Sequence, residues 1–81
     1  MTSPRRTKPS RDASAPTIAE IAERIAARRV DLQLTQQSLA ELAGVSRSSV
    51  QAVEYGTGSV KLGLVVAIAD VLGLNLDISP Q

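Results

Sequence analysis

Residues 34–56 read LTQQSLAELAGVSRSSVQAVEYG, and this stretch decides the fold. Thr35 can cap a helix by accepting a hydrogen bond from an amide of its first turn, and Leu39, Ala40, Leu42 and Ala43 then fall on one side of that helix. Gly44 supplies the left-handed residue that stops it, because only glycine adopts positive φ without a Cβ penalty. Val45 is the aliphatic residue of the turn, and Ser46 can cap a second helix running to Glu54. In that helix Val50 and Val53 point inward, while Arg47, Ser48, Ser49 and Gln51 are left outside. The stretch therefore predicts two short helices joined by a tight turn, the second presenting a polar face.

Upstream, Thr17-Ile18-Ala19-Glu20 has the spacing of a capping box and predicts a helix from about Ile18 to Asp31, with Ile18, Ile21, Ala22 and Ile25 toward the core. Residues 1–16 hold three of the four prolines and no large apolar residue after Met1, so they predict a flexible basic arm. Downstream, Tyr55 to Val60 contains Gly56 and Gly58 and reads as a loop. Leu62 to Leu72 is then almost continuously apolar up to Gly73. One stripe of this helix, Leu62, Val65, Val66, Ala69 and Leu72, can face the core; Leu64, Ile68 and Val71 form a second, which a monomer would leave wet. Leu74-Asn75-Leu76-Asp77-Ile78 alternates apolar and polar like a half-buried strand with no other strand to pair with. A two-fold homodimer answers both problems: Leu74, Leu76 and Ile78 pair across the axis and cover Leu64, Ile68 and Val71. The expected architecture is all-α, a compact four-helix domain over 17–73, with a dimerisation strand over 74–79.

Composition narrows the chemistry. The 81 residues include no cysteine and no histidine, which removes disulfides, thiolate nucleophiles and the usual transition-metal ligands, so no metal site and no cofactor are expected. Lys61 is the only lysine outside the arm, and the carboxylates are scattered without a partner base, so no enzyme is expected. No run approaches the ~20 apolar residues that cross a bilayer, and a cytoplasmic location is expected. The net charge of +1 divides unevenly: residues 1–16 have four bases against one acid, net +3, and residues 17–81 have five against seven, net −2. Bulk charge gives no case for nucleic acid; only local placement does.

The segment Leu34 to Gly56 resembles the Cro/phage-repressor (XRE-type) helix-turn-helix family, with Ala40, Gly44, Val45, Val50 and Val53 at the motif's spacing. The resemblance implies a lambda-repressor-like fold and a sequence-specific transcriptional repressor that binds double-stranded DNA at an inverted-repeat operator. Carried over by position, Arg47, Ser48 and Gln51 would contact bases, and Gln36, Gln37 and Ser49 the DNA backbone. Arg29 and Glu54 would form a structural ion pair tying the first helix to the third. From Thr17 to Ile78 the chain looks like the HipB-type antitoxins, which implies an autoregulating repressor that binds a HipA-type kinase toxin. Two other readings stand beside it: a free-standing XRE-type regulator without a toxin, and a protein-interaction module on the same fold, which the −2 of residues 17–81 keeps open. The basic arm is either an inert tail or a tracker of phosphates or the minor groove.

Overall fold

A computed structural model describes residues 11–78 and 80, with side chains from Thr17 onward. Four helices follow one another: α1 (Arg11–Asp31), α2 (Gln36–Ala43), α3 (Arg47–Tyr55) and α4 (Leu62–Leu72). The described residues contain no strand, and no helix among them is long and apolar enough to cross a membrane.

α1 begins seven residues before the expected Ile18. Thr17 therefore sits inside the helix and does not cap it. Ala13 and Ala15 are the strongest helix formers of this leading segment. Pro16 has no N–H to give to the carbonyl four residues back, so this leading segment is held by one bond fewer than an ordinary helix. Of the arm expected over 1–16, residues 1–10 lie outside the described residues, and 11–16 are helical.

All four helices stop in the same way. At each C-terminus one residue turns left-handed, its amide bonds back three residues, and the next amide bonds back five: Gly44 and Val45 close α2, Gly56 and Thr57 close α3, Gly73 and Leu74 close α4. α1 uses Gln33 at φ 61°, the only non-glycine residue with positive φ among the described residues, and the Leu34 amide reaches the Arg29 carbonyl at 3.0 Å.

The core comprises Ile25 from α1, Leu39 and Ala40 from α2, Val50 and Val53 from α3, and Ile68 and Leu72 from α4. α2 packs against α3 and α4, and α1 lies across α3 and α4. Leu34, Ala43 and Val45 close the core around the turn. Arg28, near the end of α1, donates from Nε to the Leu72 carbonyl at 2.9 Å, which places a cation at the negative end of α4.

The phase of α4 differs from the expectation. Ile68 is fully buried at 0% exposure, so it belongs to the monomer core and cannot line a dimer interface. Leu62 and Val66, expected inside, are 71% and 40% exposed. The buried line is Ile68, Ala69 and Leu72 with Val65 half-buried beside it; Leu64 and Val71 are also half-buried. A helix apolar on most of its sides offers more than one stripe that could face inward, and contacts with α2, α1 and α3 choose between them. Beyond Gly73, Leu74 packs partly on the core, whereas Leu76 and Ile78 are 43% and 97% exposed.

Candidate nucleic-acid interface

The two helices of the motif are fixed by their caps. Thr35 Oγ1 accepts from the Ser38 amide at 2.9 Å and donates to Ser38 Oγ at 3.0 Å. Ser46 Oγ accepts from the Ser49 amide at 3.1 Å, and its hydroxyl lies 3.1 Å from that of Ser48 and 2.8 Å from that of Ser49. Between them, Gly44 has φ 71° with open space where a Cβ would stand, so the backbone angle and not crowding demands glycine there. Ala40 is 1% exposed in the core cluster, where helices α2, α3 and α4 meet and a longer side chain would force them apart.

With Val50 and Val53 turned into the core, the opposite side of α3 exposes Arg47, Ser48 and Gln51. The side chains of Arg47 and Gln51 make no hydrogen bond or ion pair with another described residue. Ser49, rotated toward the flank, is half-buried. α3 also carries one residue that the sequence reading assigned to the following loop: Tyr55 is its last helical residue, because the stop falls at Gly56.

A polar network ties three helices together behind this face. Arg29 Nε donates to Glu54 Oε2 at 2.7 Å, and Arg29 Nη2 donates to Glu54 Oε1 at 3.1 Å, a bidentate pair whose side chains are 17% and 7% exposed. Arg29 Nη1 donates to the Leu34 carbonyl at 2.8 Å, which holds the connection between α1 and α2. Gln36 Nε2 completes the set by donating to Glu54 Oε1 at 3.1 Å. The hydrogen bonds that Arg29 donates to Glu54 outweigh burial, and with the Glu54 charge they raise the Arg29 guanidinium pKa above its ordinary value. The pair is charged and its hydrogen bonds are made, so a buried carboxylate is tolerated. Its effect on the site is positional: the first residue of α2 is anchored to α3.

Gln36 therefore stands at the edge of the α3 face, with its amide nitrogen committed to Glu54. Gln37 is exposed and donates to Glu41 Oε2 at 3.1 Å. Gln36, Ser48, Gln51, Ala52, Tyr55 and Thr57 line one shallow depression, so the start of α2 and the length of α3 form a single surface. Arg47 is the only cation on α2 or α3, and Glu54 is already neutralised by Arg29. Such a face is equipped for directional hydrogen bonding more than for long-range attraction.

The helix-turn-helix family model HTH_3, of the Cro/C1 type, matches residues 25–79, from the middle of α1 past the end of α4. No curated protein sequence matches the chain. The chain belongs to the Cro/C1-type (XRE) helix-turn-helix family and is a DNA-binding regulator of that type.

Proposed function

We propose that the chain is a sequence-specific repressor that binds an inverted-repeat operator as a homodimer, with α3 of each copy in a major groove. The observation that carries this reading is the exposed set Arg47, Ser48 and Gln51 on one side of a helix whose other side is locked into the core. Arg47 has the donor fork for guanine O6 and N7, Gln51 the donor and acceptor for adenine N6 and N7, and Ser48 suits several bases. Gln36, Gln37 and Ser49 would hold the DNA backbone, and the network through Glu54 supports this by fixing Gln36 relative to α3.

Apolar surface left on the outside supports the dimer. Leu64 and Val71 are half-buried on α4, and Leu76 and Ile78 extend beyond it with much of their surface in water. Pairing of residues 74–78 with the same segment of a second copy would satisfy their backbone groups and cover these side chains. Two copies related in this way would place their recognition helices ~34 Å apart, one turn of DNA. The likeness of Thr17 to Ile78 to HipB-type antitoxins extends the reading to autoregulation of an operon and to binding of a HipA-type kinase toxin.

Selection of bound duplexes from a random pool tests the reading. Enrichment of an inverted repeat with half-sites one helical turn apart supports it, and failure to enrich any sequence overturns it. Co-purification with a co-encoded kinase separates the antitoxin from a free-standing regulator.

A further inference from the structure

The exposed stripe of α3 does not end at Gln51. Arg47, Gln51 and Tyr55 stand four residues apart, so they line up along one face of the helix over about 12 Å. Tyr55 is the sole aromatic residue of the chain and is 90% exposed. It contributes nothing to the core, yet it shares its depression with Gln36, Ser48 and Gln51.

We propose that Tyr55 contacts the DNA backbone: its ring lies against a deoxyribose at the groove wall and its hydroxyl donates a hydrogen bond to a phosphate oxygen. The inference rests on the reading of α3 as the recognition helix. The major groove is about 12 Å wide, so a helix whose first turn faces base edges has left the floor of the groove two turns later and reaches the sugar-phosphate wall.

The chemistry at that end of α3 favours a neutral donor. The C-terminus of a helix is its negative end, and here the Ala52 and Val53 carbonyls are occupied by the Thr57 and Gly56 amides. The Gly56 and Thr57 amides are thereby spent and cannot donate to a phosphate brought onto that terminus. A tyrosine side chain puts its hydroxyl several ångströms beyond the carbonyls and donates without carrying charge. Residues 17–81 have a net charge of −2, and the Glu54 carboxylate beside Tyr55 is claimed by Arg29, so neutral donors are what this face offers a phosphate besides Arg47.

The test uses the full chain, the duplex enriched from the random pool and a scrambled duplex, with binding read by fluorescence anisotropy. Tyr55→Phe removes only the hydroxyl and is expected to weaken binding to both duplexes by about tenfold, since a phosphate contact carries no sequence information. Tyr55→Ala is expected to weaken both further. Ethylation of the contacted phosphate should weaken the wild type and make no difference to Tyr55→Phe. Thermal melts of both variants should overlay the wild type, because the side chain is 90% exposed. Wild-type affinity in both variants overturns the inference, as does a change in base preference at one position, which would make Tyr55 a base reader. A wild type that binds neither duplex overturns the recognition-helix reading beneath it.

Discussion

Replacing Glu54 by alanine removes the acceptor for three hydrogen bonds at once: two from Arg29, at 2.7 and 3.1 Å, and one from Gln36 at 3.1 Å. Breaking a fully buried ion pair from one side costs about 3–5 kcal/mol, because the remaining charge is left without a partner. Arg29 is 17% exposed and keeps its bond to the Leu34 carbonyl, so water relieves part of that cost. The expected loss is about 2–3 kcal/mol. A domain of this size has roughly 3–10 kcal/mol of total stability, so the variant should be severely weakened and melt about 10–20 °C lower. Urea unfolding followed by far-ultraviolet circular dichroism measures it without needing tryptophan, which the chain lacks. The companion variants Arg29→Met and Glu54→Leu complete a double-mutant cycle. The double variant should recover most of the loss, since two apolar side chains leave no charge stranded. A Glu54→Ala loss below about 0.5 kcal/mol, or a coupling energy below about 0.5 kcal/mol, would refute the claim that the network ties α1, α2 and α3 together.

Three further outcomes are expected. Arg47→Ala should cost about 1–3 kcal/mol of operator binding and relax the preference at one base position, with unchanged melting; unaltered affinity and selectivity in a gel shift would remove Arg47 from the base readers. Gln33→Gly should stabilise the fold by up to about 1 kcal/mol by relieving the positive φ of 61°, less the entropy glycine loses on folding, and a lower urea midpoint would show that the Gln33 side chain matters more than its backbone. Leu76→Ser with Ile78→Ser should leave the monomer fold intact and yield monomers in sedimentation; a persistent dimer would exclude pairing through residues 74–78. These substitutions are cleaner than truncation before Leu74, whose amide closes α4 by bonding to the Ala69 carbonyl at 2.9 Å.

What was legible in the sequence was local. Thr35, Gly44, Ser46 and Gly73 each act within a few residues of themselves, and both ends of α2, the start of α3 and the end of α4 follow from them. The start of α1 was misplaced because Thr17-Ile18-Ala19-Glu20 fits a helix interior as well as a cap. The rotation of α4 was hidden for the opposite reason: Leu64, Ile68 and Val71 are as apolar as the residues beside them, and only neighbours distant in sequence choose between the stripes. The bond from Arg28 to the Leu72 carbonyl spans 44 residues and leaves no local trace. Gln33 gives no signal either, since nothing about glutamine announces a left-handed angle. At the candidate site, helical spacing puts Arg47, Ser48, Ser49 and Gln51 outside and the family resemblance selects Arg47, Ser48 and Gln51 among them, whereas Gln36's bond to Glu54 required the two helices to be placed. Tyr55 was recoverable in principle: with Gly56 as the stop, the preceding residue had to be helical.

The division of labour on α3 has a consequence for how such a regulator changes over generations. Val50, Val53 and Glu54 hold the helix in place, and Arg47 and Gln51 do not. Under the proposed function, the side chains that would choose the target are thus mechanically idle in the folded protein. They can be exchanged one at a time at little thermal cost, so on that reading a lineage would be free to drift from one operator to another while inheriting an unchanged chassis.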